Sequence, residues 1–126
     1  MPDFKKYVML AATPEEVYAA LTYEPTVELW TAAPARIRPK VGEEFSMWDG
    51  SISGKFIALE QGKMIQQQWY FGERDEPSVV TIKMHEDKQG TSLEVRHTNI
   101  PEEDFDEIVD GWNLIYLNDL IEFYSD

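Results

Sequence analysis

The stretch 105–124 constrains this chain more than any other. Its apolar residues fall at Phe105, Ile108, Val109, Trp112, Ile115, Tyr116, Leu120 and Phe123. Gaps of three and four place them on one wide face of an α-helix. Roughly twenty helical residues reach about 30 Å, the width of a small domain. Glu102, Glu103, Asp104 and Asp106 crowd the expected start, where unpaired N–H groups favour negative charge. Pro101 suits the position at or just before the first turn. A stripe carrying Trp112, Tyr116 and Phe123 needs a large apolar surface to cover it, and the preceding chain has to supply one.

That chain reads as an antiparallel sheet. The segment 4–12 forms a first strand whose apolar residues are Phe4, Tyr7, Met9 and Leu10, in imperfect alternation. Thr13 is placed as an N-cap, with Pro14 at the first helical position and Glu16 completing a capping box. The helix runs to about Thr22 with Val17, Ala20 and Leu21 on one side, and Pro25 opens a second short helix through Val27, Leu29 and Trp30. A connection over 31–42 holds Pro34, Pro39, Arg36, Arg38 and Lys40. Short strands then follow. Phe45 and Met47 alternate, Asp49-Gly50 turns the chain, and Ile52, Gly54, Phe56 and Ala58 share a face. After Gln61-Gly62 come Ile65, Gln67, Trp69 and Phe71, then a polar turn over 73–77. Val80, Ile82 and Met84 precede the Gln89-Gly90 turn, and Leu93, Val95 and His97 close the series. Five or six strands with one covered face predict an antiparallel meander. With the long helix across it, the fold class is α+β, a single domain over 1–126.

Composition excludes several function classes. Twenty-four acids against 11 bases give a net charge of −13, and no Lys or Arg follows Arg96. Such a surface repels phosphate backbones and anionic membranes, so neither nucleic acid nor membrane is an expected partner. A basic protein partner fits the charge. There are no cysteines, which rules out disulfides and thiolate chemistry and agrees with a cytoplasmic location. No apolar run is long enough for a bilayer, and the opening MPDFKKYVML does not read as a signal peptide.

Few residues suggest catalysis. His85 and His97 fall on opposite faces by strand parity, and no metal-ligand spacing exists, so no metal or cofactor is expected. Ser51 and Ser53 have no His near in sequence, and Gly50 and Gly54 lie on a hairpin, not between a strand and a helix. His97 and Gln67 are the inward polar groups. Each either finds a partner in the core or anchors a ligand on a cavity wall.

The run 45–69, FSMWDGSISGKFIALEQGKMIQQQW, resembles the activator-of-heat-shock-ATPase homologues. An aromatic-rich strand leads through a Gly turn into Ile52-Ser53-Gly54-Lys55-Phe56, and Lys63, Ile65 and Trp69 stand in the strand that follows. Leu93, His97, Thr98, Pro101 and Gly111-Trp112 continue the pattern. The resemblance implies a START-like helix-grip fold, a curved antiparallel sheet around a long C-terminal helix with two short helices closing one end. It carries no catalytic residues with it. Many relatives in the wider superfamily hold an apolar ligand between sheet and helix. The eukaryotic co-chaperones join a domain like this to an N-terminal one and stimulate the ATPase of the ninety-kilodalton heat-shock protein. A chain of 126 residues is expected to hold only the one fold, and its segment between second helix and sheet is short.

Three functions are therefore expected in order. The first is a non-enzymatic module that binds a small hydrophobic ligand in a sheet–helix cavity of about 300 Å³ or more. Candidate lining residues are Trp30, Phe56, Gln67, Trp69, Met84, His97, Trp112 and Tyr116. The second is a co-chaperone or stress-related protein-binding module using the acidic surface. The third is an enzyme like the polyketide cyclases and aromatases, resting on His97 and Gln67.

Overall fold

The computed structural model describes residues 2–72 and 76–125; most of the expected polar turn at 73–77 lies outside the described residues. The chain opens with a strand, β1 (Phe4–Leu10), shorter than the expected 4–12. Thr13 then caps α1 (Pro14–Thr22). Its side chain accepts from the Glu16 N–H while the Glu16 carboxylate accepts from the Thr13 N–H, both at 3.1 Å. This is the reciprocal capping box that the sequence predicts. The second helix, α2 (Glu24–Thr31), ends at Ala32 in the left-handed region. Four strands with tight turns follow β2 (Glu44–Met47): β3 (Ile52–Glu60), β4 (Met64–Trp69), β5 (Ser78–Asp87) and β6 (Gly90–Thr98).

The sheet has six antiparallel strands in the order β1-β6-β5-β4-β3-β2. Its covered face carries Phe45 and Met47, then Ile65, Gln67 and Trp69, then Val80, Ile82 and Met84, then Leu93, Val95 and His97. Period two accounts for all of these. It accounts less well for β1 and β3. In β1 the inward positions are Phe4, Val8 and Leu10, while Tyr7 and Met9 face outward at 53% and 43% exposure. In β3 the register shifts between Phe56 and Ala58. Leu59 thereby stands opposite Ile65 and packs on the core, and Ala58 stands opposite outward-facing Gln66. A bulge adds one residue and flips the face of everything after it. Val27 and Trp30 of α2 are buried, whereas Leu29 between them is 68% exposed.

The C-terminal stretch is helical but not one α-helix. A 3₁₀ turn (Glu102–Asp104) leads into α3 (Phe105–Asp110), a π-helical segment (Gly111–Tyr116) and α4 (Leu117–Phe123). The Leu117 N–H donates to the Trp112 carbonyl five residues back. A wider turn carries each residue through a smaller angle than an α turn does. The buried set is therefore Trp112, Tyr116, Leu117 and Leu120, and Ile115 is 51% exposed. Ile115 inward and Leu117 unnoticed are both errors of assuming one uniform α period. Burying Leu117 and Leu120 stabilises the docking of this run by about 1.5–3 kcal/mol each. α4 packs on β1 and α2, so the helical run closes over the covered face of the sheet. No helix among the described residues is long and apolar enough to cross a membrane.

Candidate functional site

Aromatic rings fill most of the space between the sheet and the helical run. Trp69 of β4 stacks on Trp112 with centroids 5.0 Å apart and planes 16° apart. Tyr116 lies 4.5 Å from Trp112. Trp30 of α2 meets Tyr116 edge-on at 5.4 Å, and Phe4 of β1 stacks on the other side of the cluster, 6.3 Å from Trp112. Such pairs add about 0.5–1.5 kcal/mol each beyond area burial.

The indole and imidazole nitrogens inside this cluster all have partners. The Trp112 Nε1–H donates to His97 Nδ1 at 3.1 Å. An indole only donates, so Nδ1 is the unprotonated nitrogen and the ring proton sits on Nε2. From there it is donated to Ser78 Oγ, 2.8 Å away, whose own hydroxyl donates to the Thr98 carbonyl at 3.2 Å. Burial pushes the His97 imidazole down to about 4, with a small opposing influence from Asp3. The imidazole is thus neutral and fully occupied, and it ties the π segment to β6. Gln67 behaves alike: its Oε1 accepts from Trp69 Nε1–H at 2.9 Å. Trp30 gives its N–H to the Ala20 carbonyl at 2.6 Å, joining α2 to α1. Burial also raises the Tyr116 hydroxyl far above its usual range.

Room for a ligand remains at one edge of the cluster, in a cleft of about 330 Å³. One wall comes from the β2–β3 hairpin, through Trp48, Ser51 and Ile52. The floor is Trp69, and the opposite wall is Glu107 and Ile108 of α3 with Gly111, Trp112, Ile115 and Tyr116 of the π segment. Two chain features open it. Gly111 lies in the helical run, and a Cβ built there meets no atom within 4 Å. Trp48 adopts φ +49°, followed by Asp49 at +53°. A bulky residue in the left-handed region is strained by about 1–3 kcal/mol and needs surroundings that hold it. Here the ring is held at 5.5 Å from both Trp30 and Tyr116.

Of the residues expected to line a cavity, Trp69, Trp112 and Tyr116 do border the cleft. Trp30, Phe56, Gln67, Met84 and His97 are buried but do not border it. Phe56 packs on Phe45 at 5.3 Å, and Met84 lies on the inner face of β5. The cleft thus sits nearer the surface than the expected chamber, because the rings themselves occupy the interior. Trp48, Ser51, Ile52, Glu107, Ile108, Gly111 and Ile115 were not foreseen as lining residues. Two of these had a readable signal. An isolated Gly inside a helical pattern costs about 1 kcal/mol against Ala and marks a spacing requirement. A Trp directly before Asp-Gly sits where a hairpin tip would otherwise take a small polar residue. No group of three or more His, Asp or Glu side chains suited to a metal occurs among the described residues. Two broader depressions, of about 530 and 660 Å³, lie beside α1 and are lined by residues of mixed charge.

A bent antiparallel sheet gripping a C-terminal helical run, with two short helices at one end, defines the START-like helix-grip class. Within that class, residues 11–123 match the family described as Activator of Hsp90 ATPase homolog 1-like protein, and the chain belongs to it. The human Activator of 90 kDa heat shock protein ATPase homolog 1 is 33% identical over 115 residues, covering 90% of this chain and 34% of that protein. The chain therefore spans about a third of the length of this relative. The crystal structure of an HSP90 activator from Plasmodium falciparum superposes with a TM-score of 0.84 at 26% identity, over 94% of this chain and 92% of that one. A protein from the dynemicin biosynthetic locus shares the fold at a TM-score of 0.79 and 17% identity, covering 96% of this chain and 46% of its own.

Proposed function

We propose that this chain is a non-enzymatic module of the activator family that takes a small apolar ligand in the cleft between the hairpin tip and the π segment. The observation that supports this most is the cleft itself: about 330 Å³, walled by Trp48, Trp69, Trp112 and Tyr116 beside Ile52, Ile108 and Ile115. That volume suits a compact ligand, at the lower end of the usual range of about 300–1,000 Å³. The two inward polar groups on which the sequence rests an enzyme reading are already engaged. His97 is held by Trp112 and Ser78, and Gln67 by Trp69, so neither stands ready as a general acid, base or substrate anchor.

The test is Gly111→Leu. A side chain in this open space fills the cleft, and the change removes a helix-interior glycine, worth up to about 1 kcal/mol of stability. The variant is expected to fold at least as stably as the parent and to lose displacement of an apolar fluorescent dye. Unchanged dye binding in a folded Gly111→Leu protein would sink the reading.

A second reading has its own support. The human relative and the Plasmodium structure are named as activators of the Hsp90 ATPase or of Hsp90. This chain, with its net charge of −13, then docks on a basic surface of such a chaperone. Association should weaken steeply between low and high salt, and the chaperone's ATPase should rise when the chain is added. No association at low salt counts it out. The cyclase-like reading is left with a shared fold and no committed residue.

A further inference from the structure

Resting on the apolar-ligand reading, the lining of the cleft says what kind of apolar ligand fits. Four aromatic side chains border it, Trp48, Trp69, Trp112 and Tyr116, and no basic residue does. The one lining group that carries charge at neutral pH is the carboxylate of Glu107, an exposed residue, and it has no hydrogen-bond or ion-pair partner among the described residues. The wall it belongs to is strongly one-signed. The helical run carries Asp104, Asp106, Glu107 and Asp110, and no Lys or Arg occurs after Arg96. An anion entering here meets repulsion and finds no basic side chain to balance its charge.

We propose that the cleft is a site for a compact organic cation, a small molecule bearing a quaternary or aryl-substituted ammonium group. A Trp or Tyr ring face left free by the Trp69–Trp112 stack carries negative electrostatic potential, so it attracts a cation that has little hydration to lose. Apolar substituents on the nitrogen fill the space against Ile52, Ile108 and Ile115, and the Glu107 carboxylate at the rim balances the charge. An exposed carboxylate acts through partly screened attraction, so its contribution falls as salt rises. The pairing resembles neither of the two polar groups buried deeper, which are spent on the core.

The test uses a matched pair of probes on the full chain: phenyltrimethylammonium and its neutral isostere tert-butylbenzene. Binding is read from the indole N–H resonances of the four tryptophans. The cation should bind about tenfold or more tighter than the isostere, and Glu107→Gln should weaken the cation severalfold while leaving the isostere unchanged. Equal affinity for the two probes overturns the cation proposal and leaves the apolar-ligand reading standing. Binding of neither probe overturns both. A peptide carrying trimethyl-lysine serves as a third probe; if it binds tighter than the free cation, the assignment to a small molecule is overturned. Gly111→Leu, which keeps the helix and fills the cleft, should abolish binding of the cation; retention of its affinity would place the cation elsewhere and overturn the site.

Discussion

Gly54 shows how much one missing methyl group can decide. A Cβ there would lie 1.8 Å from the Gln68 carbonyl oxygen of the neighbouring strand, and backbone cannot yield as a flexible side chain would. Gly54→Ala is expected to cost about 2–4 kcal/mol in urea unfolding, in the range of core overpacking and backbone strain. His97 makes a second prediction, about pH. Its folded value is about 4 and its ordinary value about 6.5. Between these the unfolded chain binds more protons than the folded one, so stability rises with pH. The contribution is complete above about pH 6.5 and is lost as pH falls toward 4, by about 3 kcal/mol in all at about 1.4 kcal/mol per pH unit. His97→Gln keeps an acceptor and a donor but cannot titrate. The difference between parent and variant across pH 4–8 should isolate this slope, and an equal slope in both would refute the assignment. Inward placement of His97 was legible from strand parity. Its partners were not, because Ser78 and Trp112 lie 19 and 15 residues away in sequence.

At the scale of elements, the π segment departs most from simple periodicity. The buried residues of this segment and of α4 follow Trp112 by four, five and eight positions, at Tyr116, Leu117 and Leu120. Removing exposed Leu114 would turn those intervals into three, four and seven, the spacing of one α-helical face. The deletion variant is expected to keep its buried set and its thermal midpoint, with i→i+4 hydrogen bonding throughout. It should bind the cleft ligand more weakly, because Ile115 leaves the wall. Circular dichroism melts and a ligand titration check both halves. The bulge in β3 is the same lesson in a strand: one extra residue between Phe56 and Ala58 turns Leu59 inward. Neither insertion can be read from apolar spacing, since each is chosen by what lies across from it.

For the whole molecule, charge is the open term. A net charge of −13 on 126 residues means the compact state repels itself. Adding about 1 M salt shortens the screening length to about 3 Å and should raise the urea midpoint. A midpoint unmoved by sodium chloride would show that the acids are spread too far apart to matter. The same screening should weaken any docking on a basic chaperone surface, so stability and association are expected to respond to salt in opposite directions.

The order of elements, the capping box at Thr13, the hairpin turns and the inward faces of β4, β5 and β6 were all determined locally. They follow from the φ preferences of Thr, Pro and Gly and from side chains alternating across a pleated strand, and both act over a few residues. The family resemblance was legible for the same reason, in short motifs such as Ile52-Ser53-Gly54-Lys55-Phe56 and Gly111-Trp112. Only the tertiary structure decided where empty space lies. Volume between a sheet and a helix is the small difference between large packed rings, set by which of Trp30, Trp48, Trp69, Trp112 and Tyr116 fills which gap, and those contacts join residues far apart along the chain.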